Sequence, residues 1–137
     1  MADDVVLNKA ATIERCLQRV LTEYAGDEQN LVANQTKQDA IILNLQRACE
    51  TAIDLAMYVV SQRKLGVPQD SRDAFVFLQT SGIIPADLAT RMQHMVGFRN
   101  IAVHEYTRLN LDVVRAIIIK QLDDFRTFSS TIVKAFS

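Results

Sequence analysis

The stretch Val113-Val114-Arg115-Ala116-Ile117-Ile118-Ile119 decides the fold, because it is the one segment that reads as well for a strand as for a helix. Its β-branched residues favour extended backbone, and a strand here would make the chain a mixed α/β protein. The residues that follow settle the matter. Leu122, Phe125, Phe128, Ile132 and Phe136 continue the apolar side at helical spacing for some fifteen further residues. Asn110 offers an N-cap ahead of the run, and Asp112 sits favourably near the positive end of the helix. The run is apolar around much of its girth, which predicts that part of it lies deep in the protein or against another subunit.

Working outward, the remaining segments read as helices too. Ala10, Ile13, Leu17, Val20 and Tyr24 repeat on one face from Val6 until Gly26-Asp27 interrupts them. Ile41, Ile42, Leu45, Cys49, Ala52, Ile53, Ala56, Met57 and Val60 predict a long second helix, opened near Thr36 with Asp39 three residues on and closed by Gly66 and Pro68. Asp70-Ser71 and Gly82 bracket a short third helix, and Pro85 suits the first turn of a fourth that runs to about His104. The expected architecture is all-α, an up-down bundle of about five helices forming a single domain over 1–137.

Composition narrows the function. A chain of 137 residues can bury roughly two thirds of its unfolded surface in one core. No apolar run reaches the length of a membrane span, and Met1-Ala2-Asp3-Asp4 is acidic where a signal peptide would be basic, so a soluble, cytoplasmic protein is expected. Fifteen basic against sixteen acidic residues give a net charge of -1, so any nucleic-acid binding must be local. Cys16 and Cys49 are too few for a disulfide scaffold or a four-thiolate zinc site, and the hairpin register places them about 10 Å apart along the axis. Two reduced core thiols are expected.

The chemistry concentrates in Phe98-Arg99-Asn100-Ile101-Ala102-Val103-His104-Glu105-Tyr106. Arginine matches phosphate oxygens with a permanent planar cation, histidine exchanges protons near neutrality, and tyrosine offers a hydroxyl. Taken singly, each has an ordinary explanation: a packed or solvated histidine, an arginine complementing the helix dipole, a tyrosine at the rim of the core. His94 brings no His-x-x-x-His spacing and no cysteine, so no metal site is expected. Asp123-Asp124 reads as solvated surface, the six phenylalanines as core, and Arg108 as a residue that could meet RNA or a protein partner. On a straight helix Arg99 and His104 point about 140° apart, whereas Arg99 and Tyr106 fall within about 20°. Either the helix loosens before His104, or two copies of the segment build one site.

The pattern Arg-Asn-x-x-x-His-x-Tyr resembles the Arg-polar-x4-6-His signature of the HEPN superfamily in its HepT-like branch, and length and helical layout extend the resemblance over the whole chain. The resemblance implies a metal-independent ribonuclease that needs no cofactor and acts as the toxin of a toxin–antitoxin pair. It implies Arg99 and His104 as catalytic residues, Asn100 in support, and a homodimer with a shared cleft that could enter a larger assembly with its antitoxin. It also implies that a minimal nucleotidyltransferase antitoxin transfers AMP to Tyr106. The alternative is a HEPN bundle without catalysis, a binding partner or accessory subunit of a nucleotidyltransferase; such relatives typically lack the arginine or the histidine, and both are present here.

Overall fold

A computed structural model describes residues 3–137; Met1 and Ala2, with which the expected 1–137 domain begins, lie outside the described residues. All the regular structure described is helical. The helices are α1 (Asp4–Tyr24), α2 (Gln29–Val32), α3 (Gln35–Gln62), α4 (Ser71–Thr80), α5 (Ala86–His104), α6 (Leu111–Ala116) and α7 (Leu122–Ala135). A 3-10 turn, Tyr106–Arg108, links α5 to α6, and a π turn, Ile117–Gln121, links α6 to α7.

The 28 residues of α3 form the axis of the bundle. Its small side chains Ala48, Ala52 and Ala56 fall four apart and are fully buried or nearly so, forming a shallow row into which the ridges of a neighbouring helix can settle. Ile13, Leu17 and Val20 of α1 are fully buried in the same core, and each such side chain contributes roughly 1.5–3 kcal/mol by leaving water. Phe75 and Phe128 meet edge to face at 5.4 Å between centroids, and this pair fastens α4 to α7. Phe75, Phe98, Phe125 and Phe128 are buried, while Phe77 and Phe136 pack against the core from its edge. Cys16 and Cys49 are free thiols in this interior, and burial pushes both thiol pKa values up.

Local chemistry explains where the elements stop. Asp3, Asn34, Asp70 and Asn110 each accept backbone N–H groups at the start of a helix. The cap of α3 is therefore Asn34, whose carboxamide accepts the Lys37 amide at 3.0 Å, and not the expected Thr36. That leaves Asp39 free for other work. Gly82 ends α4 with φ +82°, as expected of a C-terminal glycine. At Gly66 φ is +147°, and a Cβ would stand 3.0 Å from the Phe77 ring, so both backbone and space require glycine.

The decisive stretch is helical, but it is not one regular helix. Ile117 and Ile118 are both buried, and the π turn adds a residue to the repeat, so that Leu122 takes up the buried face five residues after Ile117. Val113 and Ile119 remain 48% and 59% exposed, so the apolar girth is partly central and partly uncovered in the single chain. The one-turn helix α2 carries no signal in the sequence pattern; it buries Leu31 and is braced by Gln38, whose side-chain amide donates to the Leu31 carbonyl.

Candidate active site

α5 ends at His104, so the four residues of the pattern sit on its last two turns and on the 3-10 turn beyond. The helix runs unbroken through Gly97 to His104, with no loosening before the histidine. Arg99 and His104 therefore keep their divergent directions, and a single chain does not aim them at one point. His104 is exposed at the helix end. Ile101 and Val103 are each 41% exposed, so the end of α5 presents apolar surface beside the histidine.

Arg99 turns inward toward α3. Its Nη2 pairs with Glu50 Oε2 at 3.4 Å, and its Nη1 donates to Asn100 Oδ1 at 3.2 Å. The Nε is buried and has no hydrogen-bond partner among the described residues. Gln46 donates to the other Glu50 oxygen, so the carboxylate that holds Arg99 is itself held from α3. A cation with one donor unused, clasped by a carboxylate at the surface, can exchange that partner for a phosphate.

Tyr106 also turns toward α3, where its hydroxyl donates to Asp39 Oδ1. Partial desolvation against α3, and then the Asp39 carboxylate, push its phenol up to about 12. A small pocket of about 400 Å³ lies beside it, lined by Asp39, Leu43, Gln46 and Tyr106. Asp39 and Glu50 are eleven residues apart, on nearly the same face of α3 and about 16 Å from each other along its axis. Arg99 and Tyr106 thus share a side, as the spacing predicts, but their anchors are separated by three helical turns.

Asp39 and Glu50 are the residues that sequence reasoning missed. Their eleven-residue spacing was the available signal, since it aligns two carboxylates along one helix. Asp123 is exposed and pairs with Arg126, whereas Asp124 is less solvated than expected and accepts Arg91 Nε at 2.8 Å, tying α7 to α5. Arg108 pairs with Glu105 at 3.5 Å and is otherwise open to solvent. Among the described residues no three His, Cys, Asp or Glu side chains gather into a metal-binding group.

Comparison with known proteins agrees with this geometry. A family model described as HepT-like ribonuclease matches residues 13–132. The chain is 45% identical over 130 residues to the mRNA nuclease HepT of Shewanella oneidensis, covering 95% of this chain and 97% of that one. Among solved structures it superposes on a tri-AMPylated Shewanella oneidensis HEPN toxin in complex with an MNT antitoxin, with TM-score 0.90, 44% identity, and 97% and 98% of the two chains covered. A toxin–antitoxin structure with AMP-PNP gives TM-score 0.91 at 44% identity, covering 97% of this chain and 99% of that one. With the arginine, histidine and tyrosine set on the end of α5 and a relative this close over nearly its full length, the chain belongs to the family of HepT-like ribonucleases, in the class of toxin–antitoxin toxins.

Proposed function

We propose that this chain cleaves RNA in the cytoplasm as one domain spanning 1–137, that Arg99 and His104 act without a metal or cofactor, and that a nucleotidyltransferase antitoxin silences it by adding AMP to Tyr106. The observation that carries the reading is the position of the whole Arg-Asn-x-x-x-His-x-Tyr pattern at the open end of α5, with Arg99 held by an exchangeable carboxylate. The scissile phosphate takes the place of Glu50 beside Arg99, which stabilises the charge that grows as the phosphorus becomes five-coordinate. His104 takes the proton from the RNA 2′-hydroxyl, and the 2′-oxygen attacks the phosphorus. The 5′-oxygen leaves and takes a proton from water, while the proton held by His104 returns to solvent, giving a 2′,3′-cyclic phosphate and a 5′-hydroxyl end. Asn100 holds Arg99 through its side-chain oxygen.

Because one chain keeps Arg99 and His104 apart, the working unit is a homodimer in which the exposed ends of two α5 helices meet. Ile101 and Val103 supply apolar surface there that a second copy would cover, and the dimer can be built into a larger assembly with the antitoxin.

In the silencing step the Tyr106 oxygen attacks the α-phosphorus of ATP, pyrophosphate leaves, and the phenolic proton passes to Asp39, which already accepts it as a hydrogen bond. The first AMP starts about 16 Å from the Glu50 that holds Arg99, so one nucleotide does not fill the way to the arginine. Further additions would carry negative charge and bulk toward it, and a similar toxin is tri-AMPylated.

The test is cleavage of labelled RNA by the purified chain in EDTA, with the product ends identified. Cleavage that persists and leaves cyclic phosphate ends supports the reading. An EDTA-sensitive activity, or 3′-hydroxyl products, overturns the mechanism.

A further inference from the structure

A second basic site lies between α1 and the adjoining face of α3. Arg15 and Arg19 of α1 and Arg47 of α3 line a pocket of about 400 Å³ together with Thr12, Cys16 and Asn44. No carboxylate lines it. Six of the ten arginines pair with a carboxylate, but among the described residues Arg15 and Arg47 do not. Arg15 donates only to the Thr12 hydroxyl, at 3.1 Å, and Arg19 reaches Glu23 at 3.5 Å, a carboxylate that Lys37 shares at 3.6 Å.

Three guanidinium groups gathered around one pocket, two of them without a carboxylate partner among the described residues, cost the fold energy. Arg15 and Arg19 repel one another across one turn of α1, and Arg47 joins them from the neighbouring helix. The positive potential reaches the pocket floor, where burial pushes the Cys16 thiol up while Arg47 and Arg15 pull it back. Position supplies the purpose. Arg47 precedes Glu50 by three residues, about one turn of α3, and Glu50 holds Arg99. The cations therefore run from α1 across α3 to the proposed reaction centre, in a protein whose net charge of -1 offers no general attraction for nucleic acid.

We propose that Arg15, Arg19 and Arg47 form a second phosphate-binding subsite that holds the backbone of the single-stranded RNA substrate beside the cleavage site. This rests on the ribonuclease reading above. The ligand is a row of phosphodiesters, because planar forks without base-reading neighbours recognise the backbone and carry no sequence preference. Asn44 and Thr12 add polar groups at the same wall.

The experiment uses full-length chain carrying His104→Ala, so that RNA is bound and not consumed, with a fluorescent single-stranded RNA titrated at salt from about 50 to 200 mM. Adding Arg15→Gln, Arg19→Gln and Arg47→Gln should weaken binding at least tenfold at the low-salt end. It should also make the slope of log K against log salt shallower by about 2, since each lost phosphate contact on a single strand removes about 0.7. The corresponding triple lysine variant should keep most of the slope, and neutralising Lys64, Lys120 and Lys134 instead should leave it closer to the parent's. Circular dichroism of every variant establishes that it is folded.

A folded triple glutamine variant with the parent's affinity and slope overturns the subsite while cleavage by the unmodified chain leaves the nuclease reading standing. A variant that keeps the RNA slope but loses the antitoxin assigns the pocket to the protein partner and overturns the proposal. If the unmodified chain neither cleaves nor binds RNA, the subsite falls with the reading it rests on.

Discussion

Replacing Asp39 by asparagine sets two effects of one hydrogen bond against each other. The Tyr106 phenol, pushed up to about 12, is ionised to only about one part in 10⁵ at neutral pH. Asp39→Asn removes the carboxylate but leaves the desolvation, the largest cause, so the value falls only part of the way back toward the ordinary phenol range. If Asp39 merely suppressed the phenolate, the variant would contain more of it, by less than the roughly hundredfold that losing the whole shift would give, and AMP transfer would accelerate by that smaller factor. If Asp39 takes the proton during attack, its loss slows transfer by about 10²-fold or more, the usual range for a positioned base. We expect the slowing. The assay follows the intact mass of the chain over time in the presence of the nucleotidyltransferase and ATP, comparing parent, Asp39→Asn and Tyr106→Phe. Transfer to Asp39→Asn as fast as to the parent refutes the assignment, and transfer to Tyr106→Phe refutes the site itself. The same contact makes a pH-dependent contribution to stability. A raised tyrosine pKa stabilises the fold fully below the unfolded value near 10, and the contribution disappears as pH rises through about 12. At 39% exposure the bond is screened and should be worth about 1 kcal/mol, so urea unfolding of parent and Asp39→Asn should differ by about that much at neutral pH and converge between about pH 10 and 12.

Three other outcomes follow from the structure. His104→Ala should lower RNA cleavage by about 10²- to 10⁴-fold and Arg99→Ala by about 10²- to 10³-fold, and both should abolish growth arrest on induction; a folded variant as toxic as the parent removes the role assigned to that residue. Sedimentation equilibrium should give about twice the 15.4 kDa chain mass, and a monomer at micromolar concentration that still cleaves RNA removes the argument for a shared cleft. Phe128→Ala, at a fully buried ring packed edge to face on Phe75, should cost about 3–5 kcal/mol in urea unfolding; a loss below about 1 kcal/mol would contradict its place at the centre of the core.

The sequence by itself determined the helices and the chemistry they carry. Apolar spacing and caps are local properties, so Gly82, Asp70 and Asn110 could be placed at helix ends without knowing what those helices touch. Arg99, Asn100, His104 and Tyr106 likewise declare themselves by type and spacing within eight residues. The π turn was not legible, because the apolar run over 113–119 fits a regular helix as well as one with an extra residue before Leu122. Nor were the partners of the site. Arg99 meets Glu50 across 49 residues and Tyr106 meets Asp39 across 67, and a helical wheel gives the direction of a side chain without saying which helix stands opposite. The pocket of Arg15, Arg19 and Arg47 is the same case: scattered cations in the sequence become one site because α1 packs against α3, a matter of tertiary contact that no local pattern encodes.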